Sequence, residues 1–140
     1  MYQKILYPTD GSELSRLALP HVVAIAYALG IPVVVLQAVE IVTEADAMTV
    51  PERREEAEQC VTDIAASLEG QGVTVASTRV IEGDAGRSIV SAVTEEGADL
   101  IVMATRGNSG LRRLALGSVA EHVMTRAPCA VLLVSPPHHD

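Results

Sequence analysis

The chain has 140 residues, 49% of them apolar, with no Phe or Trp and a net charge of −8 at pH 7, which suits a single domain with an aliphatic core. Its apolar runs stop at about nine residues, short of the ~20 that a membrane-spanning helix needs, and the N-terminus lacks the basic start and long apolar stretch of a secretory signal, so the expected location is the cytoplasm. The negative charge, with no basic stripe interleaved by aromatics, argues against a nucleic-acid partner.

Residues 3–7 read as a short strand stopped by Pro8, and Asp10-Gly11-Ser12 as turn chemistry leading into a helix cap. A helix is expected over 13–29, with apolar positions Leu14, Leu17, Val22, Ile25 and Leu29, a bend at Pro20 and a stop at Gly30. The unalternating run 31–39 fits a strand covered on both faces. Residues 40–50 lack periodicity and are expected to form the longest irregular connection, a candidate lid. Thr49 and Glu52 have the spacing of a capping box for a second helix, whose inner face holds Ala57, Cys60, Val61, Ile64 and Leu68 and which Gly70 and Gly72 stop.

Residues 73–81 alternate in part, as a more exposed strand does. Asp84 caps a short helix carrying Ile89, Val90 and Val93, which Gly97 closes. Residues 99–104 read as a fourth strand, Ser118 and Glu121 as the capping box of a last helix, and 129–134 as a fifth strand. Cys60 and Cys129 lie in apolar segments without CxxC or metal-ligand spacing and read as core residues. His138 and His139 read as solvated tail rather than metal ligands. Strands alternating with helices across short links give an α/β domain: a doubly wound, mostly parallel sheet with helices on both faces.

Ligands of such sheets bind beyond the carboxyl ends of the strands, and two segments fall there. In Pro8-Thr9-Asp10-Gly11-Ser12 the carboxylate can meet a ribose hydroxyl or a metal ion, or the segment serves only as turn and cap. Residues 104–118 hold Gly107, Gly110 and Gly117, no acid, and Arg106, Arg112 and Arg113, against the charge of the whole chain. Gly117-Ser118 opens the last helix, where free amides and the positive end of the helix dipole suit a phosphate; the plainer reading is a solvated basic loop. Ser118 and His122, four apart, suggest with Asp10 a hydrolase, but no Gly-x-Ser-x-Gly elbow surrounds Ser118. A cap for Ser118 and a helix surface for His122 fit better.

The second segment resembles the phosphate loop of the universal stress proteins, Gly-x2-Gly-x9-Gly-[Ser/Thr], with Gly107-x9-Gly117-Ser118 intact and Ala104 in place of the first glycine. The resemblance covers nearly the whole chain: Pro8-Thr9-Asp10-Gly11-Ser12 is similar to the family's N-terminal signature, Asp99-Leu-Ile-Val-Met to its fourth strand, and Gly117-Ser118-Val-Ala-Glu with Ala-Pro-Cys-Ala-Val-Leu-Leu-Val to its closing helix and strand. It implies a Rossmann-like, five-stranded sheet in the order 3-2-1-4-5, homodimers through the last strand (129–135), and, in one subgroup, ATP bound at the loop, with Mg2+. Carried over, Pro8, Thr9 and Asp10 would lie beside ribose and adenine, and Ala38 would border the adenine. Gly107, Gly117, Ser118 and Val119 would surround the phosphates, beside Ala104. If the backbone at Ala104 must be left-handed, its Cβ costs roughly 1–2 kcal/mol, about tenfold in affinity. A charge-assisted contact from Arg106 to phosphate would offset part of that loss. The implied function is a nucleotide-binding stress-response regulator with no catalytic residues, and the alternative is a dimeric interaction module that binds no nucleotide.

Overall fold

The computed structural model describes residues 1–106 and 116–137. Five strands, β1 (Ile5–Thr9), β2 (Val33–Val39), β3 (Val75–Glu82), β4 (Leu100–Ala104) and β5 (Ala130–Val134), form one parallel sheet in the order β3-β2-β1-β4-β5. Four helices connect them: α1 (Leu19–Leu29), α2 (Glu44–Gly70), α3 (Ala85–Glu96) and α4 (Ser118–Arg126). Alternate residues of the strands feed two cores. Ile5, Tyr7, Val33, Val35 and Val102 pack with Val22, Ala26, Val61, Ile64 and Leu68 of α1 and α2. Leu6, Val34, Leu36, Ile101 and Met103 pack with Ile89, Ala92, Val93, Ala120 and Val123 of α3 and α4. The doubly wound architecture expected from the alternation of elements is the one observed, and no described helix is long and apolar enough to cross a membrane.

Pro8 does not stop β1; it lies inside it, opposite Leu36 of β2. Ile5 donates its N–H to Pro32 of the β2 side, so by the two-residue alternation of a strand the nitrogen of Pro8 faces β4. Pairing with β4 has already ended at Leu6↔Ile101, and no ladder bond is lost.

The helix expected over 13–29 is two elements. A 3-10 turn, Ser15–Ala18, leads into α1, and Pro20 stands in the first turn of α1, where its missing N–H costs nothing. The buried stripe is Ala18, Val22 and Ala26, and Leu29, expected inside, is exposed. The irregular connection expected over 40–50 is largely helix. The capping box is Thr43 with Asp46, not Thr49 with Glu52: Asp46 N–H donates to Thr43 Oγ1 at 3.0 Å, while the Asp46 carboxylate accepts from the N–H groups of Val42 and Thr43. Those backbone donors hold the Asp46 carboxyl below its usual pKa. Pro51 is tolerated inside α2, whose buried face begins only at Ala57.

Asp84 caps α3 as expected, accepting from Arg87 N–H at 2.9 Å. The cap of α4 is Gly117 rather than a Ser118–Glu121 box; Ser118 is already helical. Neither cysteine is fully in the core. Both are half-buried at its margins, Cys60 within 3.9 Å of Arg16 Nη2 and Cys129 with its thiol pKa raised, chiefly by burial.

Candidate functional site

A crevice of about 940 Å³ opens at the carboxyl ends of β1, β2 and β4. Its size falls in the range of small-ligand sites. Pro8, Thr9, Asp10, Ala38, Ala104, Arg106, Gly117, Ser118 and Val119, all singled out in the sequence, line it together. Gly107, Gly110, Arg112 and Arg113 lie outside the described residues, as do His138 and His139.

The β1 side is built from short-range polar contacts that the residue types dictate. Asp10 Oδ1 accepts from the N–H of Ser12 at 2.9 Å and from its hydroxyl at 2.5 Å, forming an Asx turn. Gly11, at φ +84°, turns the chain and donates to Thr9 Oγ1 at 3.0 Å. Thr9 Oγ1 and Ser15 Oγ lie 2.7 Å apart, and the buried Tyr7 hydroxyl donates to the Ser15 carbonyl at 2.8 Å. Burial is the largest influence on the Tyr7 phenol and lifts its pKa to about 12.

Two helix N-termini reach the crevice, and they differ. At α3, Glu40 accepts from Ala85 N–H at 3.1 Å and Asp84 from Arg87 N–H at 2.9 Å, so two carboxylates already cover that end. At α4 the cap is glycine and offers no side chain to the amides of Ser118, Val119 and Ala120. Gly117 closes against β4 by donating to the Thr105 carbonyl at 2.8 Å. A β-carbon on it would stand 3.2 Å from Arg106 Cα and 3.3 Å from the Thr105 oxygen. Glycine at this position is therefore a matter of close approach, because φ is an ordinary −67°.

Ala104 ends β4 as a buried strand residue, and among the described residues no non-glycine has a positive φ. The conditional cost of a left-handed alanine does not arise. The hydrolase constellation is not assembled: Asp10 and Ser118 line the crevice but His122 does not. His122 is half-buried against α3, where a β-carbon on Gly86 would fall 2.8 Å from its ring.

Sequence reasoning missed Arg16, Gln37, Glu40, Arg53, Glu56 and Cys60, which also line the crevice. Arg53 and Glu56 come from α2, in the expected second helix but ahead of the inner face read from Ala57 onward; Arg53 Nη1 donates to the Glu40 carbonyl at 2.7 Å. Gln37 is the one polar residue of β2, a signal visible in the apolar run but left unused.

The model of the universal stress protein family matches residues 1–135. Universal stress protein MJ0531 of Methanocaldococcus jannaschii is 35% identical, over 100% of this chain and 86% of the relative. The solved structure of the hypothetical protein MJ0577, from the same organism, superposes with a TM-score of 0.87 at 33% identity and 99% coverage of both chains. A universal stress protein solved in complex with cAMP gives a TM-score of 0.73 at 26% identity, covering 97% of this chain and 98% of the other.

Proposed function

We propose, from the premise that this chain belongs to the universal stress protein family, that its crevice binds an adenine nucleotide, ATP with Mg2+, and that the protein is a regulatory module whose nucleotide occupancy is passed on through a homodimer. The observation that carries the reading is the contrast between the two helix ends. One is filled by Glu40 and Asp84, whereas the other, at Gly117-Ser118 beside Arg106, carries no side-chain cap among the described residues and suits an external anion. The cAMP held by the 26%-identical relative supports a nucleotide as that anion's source.

In this reading the amides of Ser118 and Val119 and the Arg106 guanidinium hold phosphates, and the family resemblance adds Gly107, which lies outside the described residues. Asp10, with Pro8 and Thr9 around it, meets the ribose, and Ala38 borders the base. Among the described residues no three His, Cys, Asp or Glu side chains gather as a metal cage. Mg2+ takes one or two carboxylates and completes its shell with phosphate oxygens and water; Asp10, Glu40 and Glu56 are the carboxylates that line the crevice. Ala104 gives no support to the alternative of an interaction module without nucleotide, since its methyl group sits on ordinary strand backbone.

The dimer would form through β5, an edge strand with Ala130 and Leu132 exposed. Thermal unfolding with and without millimolar ATP and Mg2+ tests the nucleotide. Ligand at a hundredfold excess over its dissociation constant adds about 2.7 kcal/mol, roughly 10 °C for a domain of this size. An unmoved melting curve rejects the reading.

A further inference from the structure

Gln37 stands near the carboxyl end of β2, opposite Thr9 of β1 and Val80 of β3, and lines the crevice. Its amide lies over Gly11: a β-carbon there would come 3.4 Å from Nε2 and 3.8 Å from Oε1. Oε1 is closed off from solvent, and among the described residues no hydrogen-bond donor reaches it. The polar groups around it are satisfied by one another, through the contacts among Thr9, Gly11, Ser12 and Ser15. An orphaned buried acceptor carries the cost of its lost hydration, and a donor brought by a ligand would offset it.

A phosphate has no such donor to give near neutral pH. The open helix end lies by β4, and Gln37 is on β2, two strand spacings across the sheet, roughly 9–10 Å, with Asp10 after β1 between them. A nucleotide with its phosphates at α4 and its sugar at Asp10 therefore brings its base to Gln37. The terminal torsion of glutamine is broad, so a small turn brings Oε1 to the base while Nε2 stays on the Gly11 side, where it is the amide atom nearest that glycine. Gly11 puts no side chain between the amide and the crevice, and its φ of +84° would resist any other residue there.

Resting on the nucleotide reading, we propose that Gln37 is a specificity-determining residue. Its Oε1 accepts a hydrogen bond from the exocyclic amino group of the base, so that this chain selects an amino purine over the keto purine of the same shape.

Calorimetric titration of the full chain with ATP and with ITP, both with Mg2+, tests this on the wild type, Gln37→Leu and Gln37→Met. The wild type should bind ATP at least tenfold more tightly than ITP. Both variants should weaken ATP about tenfold and leave ITP nearly unchanged, while their ligand-free melting temperatures stay level or rise, because an unpaired acceptor has been removed. Having two variants covers the case in which one packs badly. A preference for ATP that persists in the variants, a wild type that favours ITP or treats both alike, or variants that melt several degrees lower without ligand would each overturn the assignment while leaving nucleotide binding intact. Failure of the wild type to bind either nucleotide overturns the nucleotide reading itself, and this one with it.

Discussion

The α-carbon of Arg106 lies 3.2 Å from where a β-carbon on Gly117 would stand, so the end of β4 and the start of α4 are in backbone contact. Gly117→Ala forces that contact apart by a few tenths of an ångström, in a place where both neighbours are main chain. Overpacking of this kind costs about 1–3 kcal/mol. The melting temperature should fall by about 4 °C per kcal/mol, and nucleotide affinity should fall further than stability does, since the displaced groups are the phosphate seat. Calorimetric titration with MgATP against a melting curve separates the two, and unchanged affinity in a destabilised variant would show that the seat lies elsewhere.

Gly86 and His122 are a second close pair, joining α3 to α4. A β-carbon on Gly86 meets the imidazole at 2.8 Å, closer than real β-carbons come, and the ring must swing out. Gly86→Ala should destabilise by about 1–3 kcal/mol in urea unfolding. In His122→Ala the same change should cost little, giving a coupling energy of roughly 1 kcal/mol or more in a double-mutant cycle.

Ala104→Gly restores the family's glycine without relieving any strain, because the alanine is extended and buried. Stability should drop by roughly 0.5–1 kcal/mol from the extra freedom of the unfolded chain. Affinity for ATP should change by much less than tenfold. A tenfold gain would mean that the methyl group does obstruct the phosphates.

Tyr7 sets an alkaline limit. Its phenol ionises near pH 10 in the unfolded chain and at about 12 in the fold. Between those values the unfolded state has lost a proton that the folded state keeps, so stability is fully present below pH 10 and is lost as pH rises toward 12. The loss amounts to about 2–3 kcal/mol for such a shift. Tyr7→Phe should remove this slope, and urea midpoints measured from pH 9 to 12 would reveal it.

Leu132, on the edge strand β5, is exposed to 36%. If β5 joins two copies, Leu132→Lys should convert dimer to monomer in sedimentation velocity without lowering the melting temperature of the separated chain. A wild-type chain that sediments as a monomer at tens of micromolar would exclude that interface.

The five strands were legible because a parallel sheet needs long apolar runs and short links, and this sequence has both; their order was implied only by the family resemblance. The floor of the crevice was legible for a different reason: Asp10, Gly117 and Ser118 occur where turn chemistry and family spacing coincide. Local caps were harder. Thr43 and Thr49 both stand three residues before an acid, and the choice between them depends on whether the first turns of α2 need burial, which they do not: its buried residues begin at Ala57. Pro8 and Pro20 misled in the same way, since a proline is disruptive only where its nitrogen would have had an acceptor. Gln37 was overlooked because a lone amide in an apolar run carries meaning only once its burial and lack of a partner are seen.

An imino acid in the middle strand also has a lasting effect on shape. Beyond Leu6 and Ile101 the pairing of β1 with β4 has ended, and Pro8 has no hydrogen with which to extend it. The fork between them is thus part of the fold itself and is not something a guest molecule must pry open. Arrival of a ligand at such a fork should require little rearrangement of the main chain, leaving side chains such as Gln37 and Arg106 to do the adjusting.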